Sequence, residues 1–493
     1  MKILFIASEI DGLIKTGGLA DVAYALPKAL CALGHEVKIA LPAYQQIQSV
    51  WQTWPKQTFE SKINHFMTEP VSAYQGDFNG LALVAIAHKD SFNRNGIYDE
   101  RQQAYSDNPF RFAMMTKASL DWCQLNSWQP DIVHANDWQS SLAGFYLAEH
   151  FKHESFFTNT RSILTLHNAA YQMYCEQREL TYLGIDERFY TEQDFKQQDG
   201  LNLLKGSLGF TDGIVTVSPG YAQELKTELG GHGLTDKINS LSQPFKGILN
   251  GSDESQWNPE SDIYISSHFS ASDLSGKQQC KLDLQQRLNL ASEVSKPLLG
   301  VICRLTEQKG IDLLIPAFKQ LMQANQCQIV VLGSGDERLA SELLELAENN
   351  QQNFKFINGY DIELSHQIEA GCDAFLMPSI FEPCGLNQIY SLRYGTLPLV
   401  RQVGGLKDTV CRLADDYTNC DQATGFMFLE ANSTALLREL ERLLAVYNQQ
   451  PDIWQQLQQN AMQQRFSWQK AAQQYEQFYQ LLLSQEKAAH PLI

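Results

Sequence analysis

A chain of 493 residues is too long for one hydrophobic core and is expected to form roughly two to four domains. Its composition, 44% hydrophobic and 19% charged, is that of a globular enzyme and excludes a disordered or fibrous chain. A formal net charge of −18 argues against nucleic acid or another polyanion as the main ligand. No apolar run approaches the roughly 18 residues that span a bilayer, so no membrane partner is expected. The ten cysteines are scattered without a C-x-x-C pair, which argues against a zinc ribbon or disulfide framework and fits a reducing, cytoplasmic setting.

The apolar run at 3–7 (ILFIA) reads as a buried first strand rather than a signal segment, because Ser8 and Glu9 end it early and a glycine loop follows. That loop is KTGGLAD at 15–21. Leu19, Val22, Ala23, Leu26, Ala29, Leu30 and Leu33 then keep a helical period, with a kink expected at Pro27 and a stop at Gly34. A second strand at 37–41 completes a βαβ unit with a right-handed crossover. The same grammar recurs: 131–134 leads to Asn136-Asp137-Trp138, 163–166 to His167-Asn168, and 213–217 to Ser218-Pro219. A polar stretch at 250–255 separates the halves, and the pattern restarts at 298–303. Strands at 329–332, 374–377 and 397–400 follow, and the last precedes a second glycine loop, QVGGLKD at 402–408. The C-terminal segment is Gln-rich. Trp454, Leu457, Met462, Phe466 and Trp468 are spaced as a packing stripe, which predicts an ordered helix pair.

Polar residues collect after each strand, where ligands bind in open parallel sheets. Two Gly-Gly loops, each between a strand and a helix, suggest backbone amides converging on an anion, hence two α/β domains facing a phosphate-bearing ligand. Lys15, Arg304 and Lys309 follow strands and supply the positive charge that a sugar-nucleotide diphosphate needs as it departs. Glu382, in PSIFEPCGLN at 378–387, can cap a helix, hold sugar hydroxyls, or both. Cys384 reads as a small residue packed beside the site rather than a nucleophile, since no base is adjacent. His167 is open between a structural and a sugar-contact role; Asp137 can bind hydroxyls, and Trp138 serves either the core or a sugar ring. GSGD at 333–336 is only a fragment of a dinucleotide fingerprint, and no full G-x-G-x-x-G supports an NAD-dependent oxidoreductase.

The chain resembles bacterial glycogen synthases and plant starch synthases nearly end to end. The resemblance rests on KTGGLADV at 15–22, HANDW at 134–138, LHNAAYQ at 166–172, NGSD at 250–253, CRLTEQKG at 303–310, PSIFEPCGLNQ at 378–388 and RYGTLPLVRQVGGLKDTV at 393–410. It implies an α/β GT-B architecture: two Rossmann-like domains facing across a cleft, at 1–247 and 248–465. A helix at 466–493 would cross back to the first domain. The implied activity is retaining transfer of glucose from ADP-glucose to the non-reducing 4-OH of an α-1,4-glucan, with no cofactor or required metal. By family position, Lys15 and Gly18 meet the donor, Arg304 and Lys309 hold its diphosphate, and Leu386 and Asn387 offer amides to phosphate. Tyr360 stacks on the base, and Cys384 and Gly385 line the donor loop. His167, Asp137 and Glu382 surround the glucosyl unit, and Asp21, Tyr98, Trp138 and Asn168 face the acceptor together with Asp137 and His167.

The chain departs from that pattern at several positions. The family usually has His at Asn136 and Gln139, Gly at Met173, Arg at Ile380, Thr at Asn387, and Ile or Val at Ser252. None removes an inferred catalytic group, but Ile380 and Asn387 flank the phosphate loop and bear on donor preference. The mechanism implied is domain closure followed by neutralisation of the leaving ADP, an oxocarbenium-like centre near His167 and Glu382, and attack from the leaving-group face. Two alternatives remain: a retaining transferase using UDP-glucose or a small sugar acceptor, and a non-catalytic glucan-binding protein.

Overall fold

The run ILFIA folds as β1 (Lys2–Ile6), whose Ile3, Leu4, Phe5 and Ile6 are fully buried. The helical period becomes α1 (Gly18–Ala32), continuous through Pro27. It ends in a Schellman arrangement: Gly34 takes φ +88°, its N–H donates to Cys31, and the N–H of His35 donates to Leu30. The chain returns as β2 (Glu36–Pro42), parallel to β1. The computed structural model describes all residues except 65, 90, 102 and 486–493.

Two units divide the chain. The first comprises Met1–Val217, Ala222–Asn250 and the segment from Trp468 on; the second comprises Ser218–Tyr221 and Gly251–Ser467. The first unit adds β3 (Lys56–Lys62), β4 (Thr68–Phe78), β5 (Leu81–Ala87), α2 (Asn108–Leu125), β6 (Ile132–Asn136), β7 (Arg161–Leu166), β8 (Gly213–Thr216) and β9 (Phe245–Gly247). Its sheet runs β9-β8-β7-β6-β1-β2-β5-β4-β3. The strands from β9 to β5 are parallel, and β4 and β3 extend one edge as an antiparallel hairpin. Strand order reverses between β1 and β6, the switch point of a doubly wound sheet, so the loops after those strands diverge and leave a crevice.

The second unit has six parallel strands: β10 (Leu298–Ile302), β11 (Gln328–Gly333), β12 (Phe354–Asn358), β13 (Ala374–Met377), β14 (Leu397–Arg401) and β15 (Phe426–Phe428). Their order is β12-β11-β10-β13-β14-β15, which places a switch point between β10 and β13. Helices α3 (Ile311–Gln323), α4 (Asn387–Arg393), α5 (Gly404–Thr409), α6 (Ser433–Gln449) and α7 (Pro451–Gln463) belong to this unit. The GSGD fragment is structural. Asp336 caps the helix Glu337–Asn349, and a Cβ on Gly335 would lie 2.4 Å from the Leu305 carbonyl.

The Gln-rich segment is helical, but it is not one packed pair. Trp454 and Leu457 of α7 join the core of the second unit, and Met462 a smaller cluster there. The next helix, α8 (Trp468–Ser484), packs on α1 in the first unit and buries Tyr475, Phe478, Tyr479 and Leu482. The stripe divides because the break between the helices at 464–467 sends each apolar face to a different core. Among the described residues no helix is long and apolar enough to cross a membrane.

Candidate active site

In the first unit the predicted residues gather after β1, β6 and β7. Lys15 is paired with two carboxylates, 2.6 Å from Asp21 Oδ1 and 3.0 Å from Asp11 Oδ1. Burial alone would lower the ammonium, but Asp21 and Asp11 outweigh it and hold the pKa above its ordinary value. The expected amide nest at 15–18 is already filled. Glu9 accepts from the Thr16 and Gly17 backbone N–H groups at 2.5 and 3.2 Å, so these two donors converge on the protein's own carboxylate. Gly17 is extended (φ −158°), and a Cβ on Gly17 or Gly18 would meet nothing within 4 Å. Nothing in the protein demands glycine at these two positions, and the space in front of them is open.

Asp137 sits at φ +50°, an uncommon conformation for a non-glycine residue, where β6 turns into a short helix. Its Oδ1 accepts from the N–H of His167 at 2.7 Å and of Asn168 at 3.4 Å, tying together the ends of β6 and β7. Burial pushes its carboxyl up to about 7, opposed by those two N–H groups and reinforced by the charge of Glu9. Burial lowers the His167 imidazole to about 3, so the ring is neutral at neutral pH.

The His167 tautomer follows from Asn136. Asn136 Nδ2 donates to the Ile6 carbonyl at 3.0 Å, which can only accept, so Oδ1 faces His167 Nε2 at 2.9 Å. The ring proton therefore sits on Nε2. Asn136, a departure from the family pattern, thus orients the histidine. Asn168 uses its side-chain oxygen locally, accepting from the N–H of Ala170 at 3.0 Å. Trp138 is 7% exposed and lies edge-on to Phe112 at 5.2 Å and 6.4 Å from Tyr98. Its ring is buried against Phe112 and Tyr98.

In the second unit the loops after β10 and β13 are knitted together at the switch point. Lys309 Nζ donates to Glu382 Oε2 at 2.5 Å, and Ser379 Oγ donates to the same oxygen at 3.1 Å. The backbone N–H of Ile380 donates to Gln308 at 2.8 Å. Gly310, which starts α3 at φ +70°, passes so close to the Pro378 carbonyl that a Cβ would lie 2.2 Å away. Asn387 Nδ2 donates to the Ile302 carbonyl at 2.7 Å, fixing α4 to the end of β10. Arg304, just after β10, is exposed, Cys384 is buried, and Tyr360 is 75% exposed after β12.

The second Gly-Gly loop is a backbone clamp, not an open anion cradle. Gly405 donates to the Glu382 carbonyl at 3.1 Å. A Cβ on Gly404 would lie 1.9 Å from that carbonyl, and one on Gly405 2.2 Å from the Cys384 carbonyl. Gln388 Nε2 donates to the carbonyls of Cys384 and Gly385 at 3.0 and 3.1 Å and completes the support of this turn.

The structure thus joins Lys15 with Asp21, Asp137 with His167 and Asn168, Tyr98 with Trp138, and Lys309 with Glu382. Sequence reading gave no site role to Glu9 or Asp11, and noted Asn136 only as a polar residue after a strand and a departure from the family pattern. Glu9 carried one usable signal, a carboxylate directly after a buried strand. Among the described residues there is no cluster of three or more His, Cys, Asp or Glu side chains able to hold a metal ion.

Residues 2–240 match the family model described as the starch synthase catalytic domain, and residues 285–462 match glycosyl transferases group 1. A glycogen synthase from Aeromonas hydrophila is 43% identical over 490 residues, 97% of this chain and 98% of the relative. One from Photobacterium profundum is 41% identical, covering 97% and 94%. The solved catalytic domain of starch synthase IV from Arabidopsis thaliana, bound to ADP and acarbose, is 33% identical with a TM-score of 0.88, covering 98% of this chain and 99% of that one. Sucrose-phosphate synthase from Thermosynechococcus elongatus shares the fold, at 18% identity and a TM-score of 0.58.

Proposed function

The chain belongs to the glycogen synthase family of glycosyltransferases, and on that premise we propose that it transfers glucose from ADP-glucose to the non-reducing 4-OH of an α-1,4-glucan with retention of configuration. The observation that carries this reading is the Lys309–Glu382 pair at the switch point of the second unit. It sets a cation for a departing diphosphate beside a carboxylate for sugar hydroxyls. The starch synthase IV structure, at 33% identity, is bound to ADP and acarbose and supports a nucleotide-sugar donor and a glucan acceptor.

Arg304 and Lys309 neutralise the charge that grows on the leaving ADP, a role worth most in a dry site. The Leu386 and Asn387 amides at the start of α4 add to it, Cys384 and Gly385 line that turn, and Tyr360 stacks on the base. Lys15 and Gly18 are assigned to the donor, and the open space before Gly17 and Gly18 accommodates it. The neutral His167, with its Nε2 proton committed to Asn136, orients the glucosyl unit and is not the proton source. The acceptor proton passes instead to the departing phosphate. Asp137 and Glu382 hold hydroxyls; Asp21, Tyr98 and Asn168 face the acceptor, with Trp138 as their backing. The reaction uses no cofactor and takes place in the cytoplasm.

Nucleotide release from ADP-glucose and UDP-glucose, each with and without glycogen, tests the reading. Glycogen-dependent ADP release is expected, with UDP-glucose at least tenfold slower. Lys309→Ala and Glu382→Ala should each lower the rate by about 10²–10³. Preference for UDP-glucose would move the donor assignment. Glycogen binding without release, or less than fivefold loss in both variants, would overturn the reading.

A further inference from the structure

Glu9 is 3% exposed, and each of its oxygens is doubly engaged. Oε1 accepts from Thr16 Oγ1 at 2.7 Å and from the Tyr98 hydroxyl at 2.6 Å. Oε2 accepts from the backbone N–H of Thr16 at 2.5 Å and of Gly17 at 3.2 Å. The Tyr98 hydroxyl has one proton and gives it to Glu9, so Ser8 Oγ, 2.7 Å away, donates to Tyr98. Three of the four donors to Glu9 belong to the two residues between Lys15 and Gly18. The fourth belongs to Tyr98, which packs against Phe112 and Trp138.

We propose that Glu9 is a positioning residue: its carboxylate fills the amide nest of the Lys15–Gly18 loop and locks that loop, and with it the Lys15 ammonium, to the Tyr98 layer. This rests on the proposed function for its catalytic consequence, but not for its structural one. Thr16 and Gly17 are exposed loop residues outside the sheet ladders, so Glu9 is what shields their amides from exchange. A neutral carboxamide cannot reproduce the arrangement. With its oxygen toward the two N–H groups, its NH2 faces the hydroxyls of Thr16 and Tyr98. The Thr16 hydroxyl then loses its acceptor on residue 9, and the Tyr98–Ser8 bond must reverse, with Tyr98 accepting from that NH2 and donating to Ser8 Oγ. In the opposite orientation NH2 meets N–H. A phosphate approaching this loop therefore meets Lys15, and the Thr16 and Gly17 amides serve the protein.

The test is Glu9→Gln in the full chain, read by amide exchange at Thr16 and Gly17 and by nucleotide release. Ser61→Ala is the control: the buried Ser61 loses its part-buried hydrogen bond to Asp121 elsewhere in the first unit, and turnover should be unchanged. Exchange at Thr16 and Gly17 should accelerate at least tenfold in Glu9→Gln and stay unchanged in the control. kcat should fall at least tenfold while the KM for glycogen stays within twofold. Unchanged exchange, or turnover within twofold of the control, overturns the proposal. Should Glu9→Gln fail to fold, Thr16→Val, which removes one donor at an exposed position, is judged on the same two readouts with a threefold threshold. If the unaltered protein releases no nucleotide, the proposed function falls, while exchange at Thr16 and Gly17 still decides the role of Glu9.

Discussion

Asp137 shows how one side chain can be both a structural tie and a chemical group. It bridges the ends of two strands through the N–H groups of His167 and Asn168, and its burial raises the carboxyl to about 7. The sign follows from proton uptake. Between the ordinary carboxyl pKa and about 7 the folded protein binds more protons than the unfolded chain, so the stability this group contributes is lost as pH rises through that window. Asp137→Asn keeps the accepting oxygen without the buried anion. Its melting temperature relative to the unaltered protein should therefore rise between pH 5 and pH 8, by several degrees. A gap that stays constant, or narrows, would show that Asp137 is not a buried anion at pH 8. The carboxylate was legible in the sequence as a residue after a strand. Its αL backbone and its two N–H partners were not, because they arise from β7, a neighbour only in space.

At the scale of elements, two loops with the same Gly-Gly signature do different work. In the first, glycine is extended and surrounded by open space; in the second, Gly404 takes φ +42° and abuts the Glu382 carbonyl. Gly404→Ala should therefore destabilise by about 1–3 kcal/mol, from backbone strain and from displacement of the Glu382 turn. Gly17→Ala should stay within about 0.5 kcal/mol of the unaltered protein. Urea midpoints of the two variants, measured side by side, separate these accounts; equal losses would refute the contrast. The shared motif and its place between strand and helix were legible in sequence. What each pair packs against was not, since Glu9 fills the first loop's nest and the 382–384 backbone occupies the second.

For the whole chain, α8 is the C-terminal piece of the first unit. Tyr479 hydrogen-bonds His134 at 2.7 Å, and Arg161 donates to the carbonyls of Leu482 and Gln485 at 3.2 and 2.8 Å. Ending the chain after Ser467 would strip the apolar cover from α1 and leave a buried histidine and arginine without these partners. The truncated protein should be recovered insoluble or without a cooperative thermal transition for its first unit. Tyr479→Phe, losing one hydrogen bond, should fold and cost about 1 kcal/mol in thermal or urea denaturation. A truncated protein that melts like the full chain would overturn this account of α8.

The sequence alone determined the element grammar: apolar strands, amphipathic helices and polar residues at strand ends. These are local signals, carried by period and by glycine and proline chemistry, and the motifs that mark the family lie within them. Only tertiary structure decided that both sheets reverse order at β1 and β10, which in the second unit brings Lys309 to Glu382, and that β6 pairs with β7, which brings Asp137 to His167. It also decided that Glu9 and Asn136 orient the groups around them, and that α7 and α8 part to different cores. Those outcomes depend on which strands become neighbours and on which carbonyl, amide or ring each side chain meets. A one-dimensional pattern does not encode such meetings.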